Sequence, residues 1–280
     1  MNFKEFIRLT YGLFMGTSTP YLKPNNRYLF PTHRLEVDGE LSLFLGGSAV
    51  CGLLSKGNEA LVINTNQARP AELFRAWVSE KAISQLTVVL SSVDSDFSGG
   101  LRQFAEASKI FVAEGGKNKL RHQSLAILES LGEQIEELVS EKVIEVAGER
   151  IRLIPVGASA SGTDLAVYLE TRSILFAGAL FYNRIHPILR PDLDVALWIN
   201  KFDSLLKRLN PTKIVPAEGD VASREEAEKF LDYLRDLTDT RLDFSTCRKL
   251  YDWPEIPSCT SLEENFDFLR LKFKSHVRVR

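Results

Sequence analysis

The hydrophobic period of this chain changes along its length, and the order of those changes limits the folds open to it. Residues 34–37, 41–45, 50–54 and 61–65 are short alternating or β-branched runs, separated by Asp38-Gly39, Gly46-Gly47 and Gly57-Asn58, which is the pattern of an antiparallel meander. Leu73, Phe74, Trp77 and Val78 then fall at helical spacing, residues 86–90 form a wholly apolar run suited to a buried strand, and 101–107 read as helix again. A strand at 110–113 and a helix over 120–131 extend this βαβ logic. Strand character returns at 143–146, 151–156, 165–169 and 174–176. Val195, Trp198, Ile199, Phe202, Leu205, Leu206 and Leu209 then keep a helical rhythm until Asn210-Pro211 ends it. A short strand at 213–216 follows. Ser223 with Glu226, and Ser261 with Glu264, are capping boxes that open two more helices. Strands, then βαβ, then strands, then helix, strand and helix fit two mixed sheets packed face to face with helices outside, an α/β four-layer αββα sandwich. A doubly wound parallel sheet leaves the first meander unexplained.

The 280 residues fall into an N-terminal amphipathic segment and connector (1–33), the sandwich domain (34–235) and a C-terminal helical extension packed on it (236–280). A chain of this size buries roughly three quarters of its unfolded surface. The first stretch, 1–16, mixes Phe3, Phe6, Ile7, Leu9, Leu13 and Phe14 with Lys4, Glu5 and Arg8. Its uncharged part is too short to span a bilayer, so it reads as a helix docked on the domain, with a membrane-surface anchor as the alternative. Lys and Arg number 35 against 37 Asp and Glu, which provides no electrostatic footprint for nucleic acid. Cys51, Cys247 and Cys259 are odd in number and widely spaced, as expected of a reducing, cytoplasmic location. Leu262, Phe266, Leu269 and Phe273 form an apolar stripe suited to core or to a homodimer contact.

Several segments carry a resemblance. Residues 88–100, VVLSSVDSDFSGG, are similar to the strand and THxHxDHxGG motif of the metallo-β-lactamase superfamily. Residues 62–66, VINTN, stand where that family writes a strand and an Asp-Thr-Gly turn. Residues 154–168 resemble the stretch around the family's GHTxGD, 174–181 its strand ending in GD, and 214–220 its terminal PGHG. The resemblance covers about residues 34–235 and implies an αββα fold whose members are hydrolases with one or two metal ions at the sandwich edge.

Carried over residue by residue, the metal ligands are mostly missing. The motif histidines fall on Ser92, Asp94 and Phe97, the motif aspartate is kept as Asp96, and the later positions fall at or next to Ala160, on Ala179 and on Glu218. His33, His122, His186 and His276 all lie elsewhere. Zinc needs a cage of imidazole, thiolate or carboxylate before it can acidify a water. Alanines and a phenylalanine cannot complete one, so the fold is expected without the hydrolase mechanism and without a cofactor. The expected role is to bind a small molecule or a protein as a pseudoenzyme.

The alternative is a divalent-metal-dependent hydrolase in which Asp94, Asp96 and Glu218 hold a single Mg, Mn or Ca ion. If the three carboxylates converge without a cation, they repel, and Asp94→Asn stabilises the protein more at pH 8 than at pH 5. Ser91 and Ser92 have no histidine to activate them. The small-residue loop 157–162 reads as a turn in preference to an anion cradle. Asp164, Arg184 and His186 are expected along the cleft, where the last two are suited to an anionic ligand or to purely local structure.

Overall fold

The computed structural model describes residues 32–157, 162–189, 193–254 and 260–277. Seven strands form the first sheet in chain order: β1 (His33–Glu36), β2 (Leu41–Leu45), β3 (Cys51–Lys56), β4 (Glu59–Ile63), β5 (Gln85–Val89), β6 (Lys109–Ala113) and β7 (Ile135–Leu138). The first four pair antiparallel, as the meander pattern predicts. From β4 to β7 the pairing is parallel, because the connections now carry helices: α1 (Ala68–Val78), the single turn α2 (Ser95–Ser98), α3 (Gly116–Gln123) and α4 (Leu125–Leu131). The second sheet contains β8 (Lys142–Val146), β9 (Glu149–Pro155), β10 (Leu165–Leu169), β11 (Ile174–Gly178) and β12 (Lys213–Pro216), in the order β12-β11-β10-β9-β8. Its one parallel pair, β11 with β12, is spanned by α5 (Val195–Leu209). Three helices follow: α6 (Arg224–Thr238), α7 (Phe244–Leu250) and α8 (Leu262–Val277).

Alternation along the strands sorts the core into three apolar layers. Leu43, Leu54, Ile63 and Val89 meet Leu153, Val167 and Phe176 between the sheets. On the outer face of the first sheet Leu53, Val62, Val88 and Val112 meet Phe74 and Trp77 of α1 and Leu120 of α3. Outside the second sheet Ala166, Leu175 and Ile214 meet Trp198 and Phe202 of α5 and Phe230 of α6, and the same cluster takes in Cys247, Leu262 and Leu269 from the last two helices. Three layers of side chains between four layers of backbone make the αββα sandwich. Gly52 on β3 shows how closely the sheets approach, since a Cβ there would lie 2.7 Å from the ring of Phe176 opposite.

Some local expectations shift. The helix read over 120–131 is broken at Ser124, whose extended backbone (φ −160°) separates α3 from α4. The helix read over 101–107 is a single 3₁₀ turn at Leu101–Phe104. The N-terminal amphipathic stretch 1–16, Ala160 with most of the loop 157–162, and Cys259 lie outside the described residues. Among the described residues no helix is long and apolar enough to cross a membrane.

Candidate functional site

The segments that carry the resemblance meet at one edge of the sandwich, joined by backbone hydrogen bonds. Beyond β4 the chain turns through Asn64 and Asn66, both left-handed (φ 62° and 61°), a region that asparagine tolerates better than most residues. Thr65 N donates to Phe97 O at 2.7 Å, Leu165 N to Ser91 O at 2.9 Å, Val50 N to Ala217 O at 2.8 Å, and Asn183 N to Glu218 O at 3.1 Å. Gly178, at the end of β11, packs on Ser91 so closely that a Cβ would lie 2.5 Å from Ser91 Oγ.

The two asparagine amides lock this edge. Asn64 Oδ1 accepts from Ser91 N at 2.8 Å and Ser91 Oγ at 2.9 Å, while Asn64 Nδ2 donates to Val50 O at 3.0 Å. Asn66 Oδ1 accepts from Ser48 N, Ser48 Oγ and Gln67 N, while Asn66 Nδ2 donates to Gly46 O and Ala49 O. Both side chains are buried with donors and acceptors matched, which is the condition for a buried amide to stabilise.

Around this frame the expected metal positions hold ordinary protein contacts. Ser92 is buried and its Oγ accepts from Asp94 N at 3.2 Å. The Asp94 carboxylate pairs with Lys119 Nζ of α3 at 2.8 Å, and Asp96 Oδ1 accepts from Gln67 Nε2. Phe97 is 4% exposed and belongs to the same buried cluster as Ala179, Tyr182 and Ile154. Ala179 is buried and offers no donor atom, and Glu218 is half-buried at the turn after β12. Among the described residues no three His, Cys, Asp or Glu side chains form a group able to hold a metal ion. Of the three carboxylates considered for a metal, Asp94 is turned toward Lys119 and Asp96 toward Gln67.

The cleft candidates differ in their surroundings. Asp164 is buried just before β10, where its backbone carbonyl accepts from Val156 N at 2.8 Å. Arg184 is exposed with φ 57°. His186 is 1% exposed, with its ring 5.3 Å from that of Trp253 and 5.5 Å from that of Tyr233. It packs under the C-terminal extension, and burial pushes its imidazole down to about 4. The sequence pointed to none of Lys119, Gln67 or Ser48 as partners, since each meets Asp94, Asp96 or Asn66 across a long stretch of chain.

No protein-family model matches the sequence, and no curated protein matches it either. Solved structures do match. The metallo-β-lactamase from Pontibacter korlensis superposes with a TM-score of 0.60 at 15% identity, over 74% of this chain and 100% of that one. The chain has the metallo-β-lactamase fold. FIM-1 from Pseudomonas aeruginosa, a metallo-β-lactamase solved in a mono-zinc form, gives 0.58 at 14% identity over 73% of this chain and 95% of that one. The stereoselective inverting sec-alkylsulfatase Pisa1 from Pseudomonas sp. gives 0.67 at 13% identity and covers 86% of this chain, which spans about half (50%) of the alkylsulfatase's length. At the described positions that resemble the family's ligand positions stand a buried serine, a lysine-paired aspartate, a buried phenylalanine and a buried alanine.

Proposed function

We propose that this chain is a pseudoenzyme of the metallo-β-lactamase fold, which binds a small molecule or a protein at the sandwich edge and carries out no zinc-dependent hydrolysis. The observation that supports this most directly is Phe97, buried with Ala179 in one apolar cluster at a position where the resembling motif has a ligand. A ring there excludes both the metal and the water that a metal would activate. The ion pair of Asp94 with Lys119 and the hydrogen bond of Asp96 with Gln67 give those carboxylates protein partners in place of a cation. Cys51 and Cys247 are both free and buried, which supports the cytoplasm as its compartment.

The test is elemental analysis of protein purified without chelator, followed by assays on β-lactam, thioester, phosphodiester and alkyl sulfate substrates. The expected result is no stoichiometric zinc and no turnover. Stoichiometric zinc that survives dialysis, together with turnover abolished by Asp96→Ala, would overturn the proposal.

A further inference from the structure

The C-terminal extension grips the segment that runs on from the Ala179–Asn183 side of the site. Thr260 Oγ1 donates to Pro187 O at 2.7 Å, and Asn265 Nδ2 of α8 reaches both Pro187 O (2.9 Å) and the Tyr233 hydroxyl of α6 (3.0 Å). That hydroxyl in turn lies 3.1 Å from His186 Nδ1. Satisfying every buried proton gives the relay a direction. A carbonyl only accepts, so the Asn265 atom facing Pro187 O must be the amide nitrogen, and its second hydrogen goes to the Tyr233 oxygen. We assign the single proton of the hydroxyl to His186 Nδ1, because that buried proton has no other acceptor among the described contacts, and Nδ1 then carries a lone pair. The imidazole is therefore neutral, with its hydrogen on Nε2.

Protonation of Nδ1 places a donor against the hydroxyl, leaves the tyrosine proton without its acceptor and buries a positive charge. We propose that this relay is an acid-released latch: protonation of His186 frees residues 260–277 from residues 185–189 while the sandwich stays folded. The groups that face His186 are Tyr233 from α6 and Trp253 from the segment after α7, with Asn265 of α8 acting through Tyr233. Behind them Tyr251 packs edge-on against both rings and donates to the Asp236 carboxylate of α6 at 2.6 Å, and Cys247 of α7 is buried in the same cluster. Burial holds the Tyr233 and Tyr251 hydroxyls and the Cys247 thiol in their neutral forms.

The sign follows from the depressed value of His186. The folded protein binds fewer protons there than the unfolded or released chain, whose value is the ordinary 6.5. The latch is at full strength above that value and is lost as pH falls towards about 4. It holds whether or not the sandwich edge binds a molecule.

Hydrogen–deuterium exchange on the full chain, corrected for intrinsic rates, tests this. Between about pH 7.5 and pH 4.5, protection of peptides from 185–189 and 260–277 is expected to fall at least roughly tenfold while β3 to β5 keep theirs. His186→Phe, which keeps a ring against Trp253, removes the step, whereas Asp236→Asn leaves it in place. Histidine NMR of the unmodified protein gives an independent reading if the phenylalanine variant does not fold: His186 is expected as the Nε2–H tautomer at pH 7, titrating well below 6 in step with the opening. A step that persists in His186→Phe, one that moves with Asp236→Asn, equal loss of protection in the sandwich, or an Nδ1–H tautomer would each overturn the latch.

Discussion

Lys119 Nζ of α3 lies 2.8 Å from Asp94 Oδ1, so the carboxylate that follows the end of β5 is paired with an ammonium. Where the sequence reading expected repulsion if Asp94, Asp96 and Glu218 shared a site without a cation, the lysine sets an attraction on Asp94. With the two side chains 28% and 34% exposed, solvent screens the pair and its worth is about 0–1 kcal/mol. Asp94→Asn is therefore expected to lower the melting temperature slightly, and by similar amounts at pH 5 and pH 8 with EDTA present. A stabilisation that grows toward pH 8 would show that the carboxylates repel after all.

The sandwich was legible because its strands and long helices are held by periodic burial, which leaves its trace in the sequence. Trp198, Phe202, Leu205 and Leu209 mark the inner face of α5 at helical spacing, and all four are buried as that spacing requires. Short elements that rest on tertiary contacts left no such trace. β7 has apolar residues only at its two ends, Ile135 and Leu138, and α7 is mostly polar, with Asp243 capping it through Thr246 N at 2.8 Å. At the site, the residue types at the resembling positions could be read from the letters. Their partners could not, because Lys119, Gln67 and Ser48 reach Asp94, Asp96 and Asn66 only through the folded chain.

Phe97 sits on α2 with 4% of its surface exposed, in the cluster that also holds Ala179 and Tyr182. Truncating a buried phenylalanine removes its transfer free energy and leaves a cavity, at a cost of about 3–5 kcal/mol. Phe97→Ala is expected to show that loss in urea unfolding with the slope unchanged. Phe97→Leu, which keeps most of the volume, is expected to lose clearly less. An unchanged midpoint for Phe97→Ala would place the ring in solvent.

Gly100 follows α2 where the chain passes α1. A Cβ at this position would lie 2.2 Å from Ala71 Cβ and 2.4 Å from Thr65 O, neither of which is the movable end of a flexible side chain. Gly100→Ala is expected to cost about 3 kcal/mol or more by overpacking, although the new residue is a better helix former. Thermal melts measure this directly, and a variant as stable as the parent would mean that α1 and the turn at Thr65 are not held together as described.

Asn64 stands where the resembling motif has an aspartate, and its amide makes the difference measurable. Nδ2 donates to Val50 O at 3.0 Å while Oδ1 accepts two hydrogen bonds from Ser91. In Asn64→Asp an ionised carboxylate would set a second oxygen against the Val50 carbonyl in a buried site, costing about 1–3 kcal/mol for the acceptor left unpaired and more for the charge. Protonation repairs the defect, because the acid O–H can donate to Val50 O. The folded value of that carboxyl is then raised above its unfolded value of about 3.9, so its contribution is present at low pH and disappears as pH climbs through the folded value. Asn64→Asp is therefore expected to be clearly less stable than the parent at pH 8, with much of the gap closed at pH 5, where parent and variant are compared by urea unfolding. An equal gap at both values would mean that the new carboxyl is never protonated in the folded state, and that Val50 O is not the partner that decides which residue this position accepts.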